Sequence, residues 1–246
     1  MVLEGSVWAG KWVFIAKHDP RPGDPAALAR AGFRGVWVQI EWQADDGTPG
    51  RSRSPAEVRR IADDFSRAGL LVGWWGWVAP AGAPAWQRRL NELASAGVPV
   101  PCALVIDAEP DSGWRGESAA ERAAASYGAV VHPAPLAVTS YGLLPPAIRG
   151  FTFAEVGLPQ CYDQRSRRSA PGFVRRCVES WEQGLPSAGI LPVLGSNSTA
   201  APRMRQLAAE AADLQPAGVA WFALTGLRGA RLAAAAAATA GVPHGR

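Results

Sequence analysis

Cysteine, histidine and lysine are all scarce in this chain, and each scarcity excludes something. The 246 residues hold three cysteines, Cys102, Cys161 and Cys177. They are far apart and show no C-x-x-C spacing, so neither a disulfide framework nor a cysteine zinc site is expected. The three histidines, His18, His132 and His244, are equally scattered. No metal and no cofactor is therefore expected. Lys11 and Lys17 are the only lysines, and the net charge is only +4. The Arg bias goes with abundant Ala and Gly, as in a GC-rich genome. Basic runs are short (Arg165, Arg167 and Arg168; Arg175-Arg176) and no recognition motif accompanies them. No nucleic-acid partner is expected; a mild attraction to anionic cell-wall polymers is the most the charge supports. Long apolar runs are missing too. The Ala233–Ala238 tract falls far short of a membrane span. The stretch from Met1 to Ser6 lacks the basic and apolar regions of a signal peptide. The reading is a soluble chain with no membrane partner, reaching any extracellular target by another route.

What is present is a rhythm. Eight apolar, often aromatic runs alternate with helical segments: 12–16, 36–42, 70–77, 102–107, 136–141, 156–162, 190–194 and 219–224. The intervening helices carry start and stop signals. Asp24-Pro25 supplies an N-cap and a first-turn proline, with Gly32 closing that helix. Ser54-Pro-Ala-Glu57 is a capping box, with Gly69 behind it. Pro84 opens and Gly97 closes a third helix, and Ser118-Ala-Ala-Glu121 is a second capping box. Eight strand–helix units at this spacing predict one (β/α)₈ TIM-type barrel across residues 1–246, with an open doubly wound sheet as the alternative.

Cys102-Ala-Leu-Val-Ile-Asp-Ala-Glu-Pro-Asp111 concentrates the chemistry. Its apolar run reads as a strand buried on both faces. Side chains at i and i+2 point the same way, so Asp107 and Glu109 fall side by side at the strand's C-terminal end. Two carboxyls crowded at the edge of an apolar core raise at least one pKa, which is how a general acid is made. The alternative is a polar plug in the barrel lumen. Active sites of such barrels lie at the C-terminal strand ends. The residues standing there include Lys17, His18 and Asp19; Gln39, Glu41 and Trp42; Trp75 and Trp77; Ser140 and Tyr141; Gln160, Tyr162 and Asp163; Ser196 and Asn197; Trp221 and Thr225. Aromatic platforms suit the apolar face of a pyranose ring, and carboxylates and amides suit its hydroxyl rim. The substrate-binding set is Asp19, Gln39, Glu41, Trp75, Trp77, Tyr141, Gln160, Tyr162 and Trp221. Gln39 and Glu41 share a strand face, so both are read as pointing into the lumen. Glu41 is then either a second functional carboxylate or a structural partner of Lys17. The 74–77 tryptophans serve as core packing, as platform, or as both.

With Ile106-Asp-Ala-Glu-Pro110 closing strand four, Tyr141 closing strand five and Gln160-Cys-Tyr162 on strand six, the chain resembles the lysozyme-type glycoside hydrolases of family 25. The resemblance implies hydrolysis of peptidoglycan or another β-linked N-acetylhexosamine polymer. Glu109 would protonate the glycosidic oxygen, and Asp107 would orient the acetamido group or steady the developing charge. Such barrels also occur in phage and prophage proteins, so cell-wall or virion association belongs to what the resemblance implies. The family opens strand one with Gly-x-Asp, where this chain has Lys17-His18-Asp19. A non-catalytic glycan-binding or structural barrel is the second reading.

Overall fold

The computed structural model describes residues 6–17, 23–50, 52–115, 117–143, 146–162, 171–185, 188–196 and 199–238. Asp19, His18, Asp163, Asn197 and the run Arg165, Arg167 and Arg168 lie outside them, as does the side chain of Ser118.

The strands are β1 (Gly10–Ile15), β2 (Phe33–Trp42), β3 (Leu71–Trp77), β4 (Leu104–Asp107), β5 (Leu136–Tyr141), β6 (Val156–Gln160), β7 (Gly189–Ile190), β8 (Val193–Gly195) and β9 (Gly218–Phe222). The helices are α1 (Pro25–Arg30), α2 (Pro55–Arg67), α3 (Ala83–Ser95), α4 (Glu117–Gly128), α5 (Phe173–Gly184), α6 (Ala201–Ala212) and α7 (Ala230–Ala236). The pairings among these strands are all parallel. The order β5-β4-β3-β2-β1-β9-β8-β6-β7, with β5 also paired to β6, closes the sheet into a barrel. The nine strands occupy eight staves, because the single run expected at 190–194 is split at Pro192, which has no N–H for the ladder. Its lower half, β7, pairs with β6; its upper half, β8, pairs with β6 and β9. The fold is a (β/α)₈ TIM-type barrel.

Two apolar layers hold it. Outward-facing residues such as Val36, Val38, Val13 and Val219 pack on helix residues including Ile61, Phe65, Met204 and Leu207. Inward-facing residues fill the lumen, and here the filling is mostly indole. Trp12 and Trp37 stack with centroids 4.7 Å apart, and Phe14 tilts against Trp37 at 4.8 Å. Glycines on the neighbouring strands make room. A Cβ on Gly35 would lie 2.4 Å from the Trp12 ring, and one on Gly73 would lie 2.4 Å from the Trp37 ring. Large and small residues thus alternate around the lumen, which is how a narrow barrel reaches interior packing density.

The caps of α1 and α2 act as the sequence predicts, whereas α4 begins at Glu117, ahead of the Ser118 expected to cap it. Asp24 Oδ1 accepts the Ala26 N–H at 2.9 Å. The Ser54 hydroxyl accepts from Glu57 N at 3.2 Å, while the Glu57 carboxylate accepts from Ser54 N at 2.8 Å. Gly32, Gly69 and Gly97, at φ of 73°, 81° and 67°, end the first three helices in left-handed conformation.

Candidate active site

Along β4, Leu104 and Ile106 pack outward and Ala103 and Val105 inward. The same alternation sends Asp107 inward. Glu109 follows with extended backbone, φ −102° and ψ 151°, so the period of two continues past the strand's last residue. The turn beyond it is pinned. Ser112 Oγ accepts the Glu109 N–H at 3.3 Å, and Val78 O accepts from Ser112 Oγ at 3.0 Å and from Trp114 Nε1 at 2.8 Å. The motif's second carboxyl therefore stands on a fixed turn rather than a loose loop.

Two strands along, at the end of β6, Gln160 reaches both acids. Its Nε2 donates to Asp107 Oδ1 at 3.1 Å and to Glu109 Oε1 at 2.5 Å. Asp107 is 4% exposed and Glu109 5%. The Asp107 carboxyl is held well above the usual carboxylate range. Burial is the first cause, the Glu109 charge the second and the hydrogen bond between the two acids the third; the Gln160 amide pulls the other way. Their titrations are therefore coupled, and burial and mutual repulsion both favour a proton held on the pair.

The rim around the pair mixes aromatics and amides. Trp77 pairs in register with Asp107, and Tyr141 with Gln160. Both rings are half-buried. Tyr162, just past β6, stacks on Phe222 from β9, centroids 5.8 Å apart and planes within 6°. Gln39 Oε1 accepts the Lys17 N–H at 2.6 Å, tying the ends of β1 and β2 together. Trp42 carries the Lys17 ammonium 3.7 Å above its ring. Phe222 is absent from the sequence-derived set. The signal for it would have been the inward alternation Gly218, Ala220, Phe222, readable only with one anchored position.

Four expectations are corrected. Glu41 does not share the Gln39 face. A bulge between Gln39 and Glu41 leaves Ile40 and Glu41 both on the helix side and returns Trp42 inward. Glu41 lies beside outward-facing Gly76, accepts from Ser52 Oγ at 3.2 Å and from Gln43 Nε2 at 3.4 Å, and faces Arg89 of α3. It is not the partner of Lys17. Trp221 packs in the same layer as Val13, Leu194 and Met204, outside the barrel, because β9 turns Ala220 and Phe222 inward instead. Trp75 does face the lumen, but it is packed beneath the rim. Its Nε1 donates to Ile15 O at 3.1 Å, and its ring stands edge-on to Phe14 and Phe222 at 5.4 and 6.1 Å. It is a packing residue rather than an open platform. Ser140 points outward and is fully buried, which leaves it no route to substrate.

Among the described residues, no group of three His, Cys, Asp or Glu side chains is arranged to hold a metal ion, and no helix is long and apolar enough to cross a membrane.

No protein-family model and no curated protein sequence matches the chain. Solved structures do. A chitinase from Bacteroides thetaiotaomicron superposes with a TM-score of 0.64 at 9% identity, over 89% of this chain and 90% of the other. The spore cortex-lytic enzyme SleL of Bacillus megaterium QM B1551 gives 0.62 at 10% identity, over 93% and 73%. A glycoside hydrolase family 128 endo-β-1,3-glucanase from Amycolatopsis mediterranei gives 0.55 at 16% identity, over 94% and 99%. At such identities the likeness establishes the barrel; these neighbours are themselves glycoside hydrolases.

Proposed function

We propose that the chain is a glycoside hydrolase acting on peptidoglycan or a related β-linked N-acetylhexosamine polymer. The observation that carries this reading is the Gln160-bridged carboxyl pair at the C-terminal end of β4. Glu109 is the general acid, delivering a proton to the leaving glycosidic oxygen. Asp107 is its assistant. With one proton shared between them, whichever carboxyl is better stabilised as the anion releases it to the other. A substrate N–H donated to Asp107 would favour the Asp107 carboxylate and move the proton to Glu109, where the leaving oxygen needs it. Asp107 would then steady the acetamido group or the positive charge that develops at the anomeric carbon. Trp77, Tyr141, Tyr162 and Phe222 offer ring faces to the sugars, and Gln39 and Gln160 offer amides. The likeness to a chitinase and to a spore cortex-lytic enzyme is in keeping with an N-acetylhexosamine polymer. The narrower family 25 assignment rests on the Asp-x-Glu motif and the strand rhythm, and the place of Asp19 in it falls outside the described residues.

The deciding experiment incubates the protein with purified cell walls, chitooligosaccharides and β-1,3-glucan and analyses the released products by mass. The expected result is soluble N-acetylhexosamine fragments from the parent and none from Glu109→Gln of unchanged circular dichroism. Equal release by that variant would remove Glu109 from the reaction.

One observation favours a second reading, a glycan-binding barrel without turnover: Glu109 is 5% exposed. Saturable binding of the same oligosaccharides with no product from the parent would select it.

A further inference from the structure

We infer that Lys17 is a specificity-determining residue that reads a carboxylate carried on the sugar chain, so that the preferred substrate is an acid-bearing N-acetylhexosamine polymer; this rests on the polysaccharide reading above. The two lysines of the chain are used in opposite ways. Lys11 is spent on structure: its Nζ donates to Ala31 O at 2.9 Å and to Ala236 O at 2.6 Å, bracing β1 against the helix ends. Lys17 makes no ion pair with any described residue. Its ammonium is instead seated 3.7 Å over the Trp42 ring. That seat is fixed. Gly50 presses on the Trp42 ring so closely that a Cβ there would come within 1.8 Å of it. The chain leaving β1 is held by the bond from Lys17 N to Gln39 Oε1. A cation–π contact orients an ammonium without neutralising it, leaving its N–H groups for an anion.

The position matters as much as the charge. Trp42 pairs with Trp77, and Trp77 pairs with Asp107. Strands lie about 4.8 Å apart, so Trp42 is about 10 Å along the rim from Asp107, and Lys17 lies one strand further, a run of about two or three pyranose rings. A chain cleaved at Glu109 and lying over Trp77 would bring a substituent of a neighbouring sugar to Lys17. Two chemistries supply a carboxylate there: an ether-linked lactyl group, as on stem-free peptidoglycan strands, or a uronic acid, as in hyaluronan. Both are matched by neutral chitooligosaccharides, which carry no acid.

The test compares parent, Lys17→Met and Lys17→Arg on these three oligosaccharide sets, by hydrolysis and by affinity electrophoresis. The expected result is a preference of the parent for one acid-bearing set. In Lys17→Met, KM or Kd on that set rises about tenfold while the neutral set is unchanged, and Lys17→Arg restores most of the affinity. Added salt should weaken acid-bearing binding by the parent and not by Lys17→Met. Which acid set responds identifies the source of the carboxylate. A parent indifferent to the acid, or a Lys17→Met that weakens neutral and acidic chains alike, overturns the inference. If the parent hydrolyses nothing, the catalytic reading fails and the binding arm still decides on Lys17.

Discussion

Two buried acidic sites stand one on each side of the barrel wall, and they are built to opposite ends. Asp107 and Glu109 face the lumen at the end of β4, crowded together, with the Gln160 amide donating to both. Glu41, two strands away on β2, faces the helices and meets Ser52, Gln43 and the positive charge of Arg89. Burial raises the pKa of both Asp107 and Glu41. At Glu41 every other near neighbour but Glu92 lowers it again, whereas at Asp107 the nearest neighbour is a second acid that raises it further. Around Glu41, Arg89 also donates to Ile40 O at 2.9 Å, and Tyr127 OH donates to Ala79 O at 2.9 Å, so the site ties α3 and α4 to the sheet. Glu41 is thus met mostly by groups that favour its charged form and tie it into the fold, while the pair at the C-terminal end of β4 competes for a proton, which is the arrangement the proposed chemistry requires.

The comparison can be broken by mutation, beginning with the largest effect. Glu109→Gln should lower kcat by about 10²–10⁴, the range of a lost general acid, with the melting temperature preserved. Gln160→Leu comes next. Losing an amide that donates to two carboxyls removes about 1.5–3 kcal/mol, or about ten- to a hundredfold in kcat, and the pH–rate profile should shift with it. Glu41→Leu should do the reverse. It strands the Ser52 and Gln43 donors and costs about 1–3 kcal/mol in denaturant unfolding, with kcat unchanged; a fall in kcat at unchanged stability would erase the distinction between the sites.

The smallest effect lies in pH dependence. A carboxyl whose folded pKa is raised above its unfolded value of 3.8 holds its proton more tightly in the fold. Its contribution is fully present below 3.8 and is lost as pH rises through the raised value. Asp107→Asn should therefore lose less melting temperature than the parent between acid and neutral pH, by about 2–4 °C for each 1 kcal/mol relieved.

Much of the fold was legible because it is written locally. Ser54, Asp24 and the left-handed glycines mark helix ends with chemistry that needs no distant partner, and the rhythm they punctuate is the barrel. Asp107 and Glu109 were legible for the same reason: a period of two holds across five residues without outside help. The bulge at Glu41 was not. A strand buried on both faces carries no polar alternation to betray a slipped residue, and Ile40 satisfies the helix layer whether or not Glu41 joins it. Trp221 and Phe222 were exchanged for a related reason, since both neighbours on β9 are large and aromatic and only the facing strands decide which turns inward. The convergence of Gln160 on both acids, 53 and 51 residues away in sequence, depends on closure of the barrel and could only be guessed as proximity. Pro192, by contrast, was a visible break within an expected strand.

The claim beneath all of this is that the Asp107–Glu109 pair keeps a proton at neutral pH. Infrared difference spectroscopy of carboxyl-labelled protein measures it directly. The account predicts a protonated carboxyl stretch at pH 7 that persists in Glu41→Gln and vanishes in Asp107→Asn. A spectrum of the parent with both carboxyls fully ionised at that pH would contradict it.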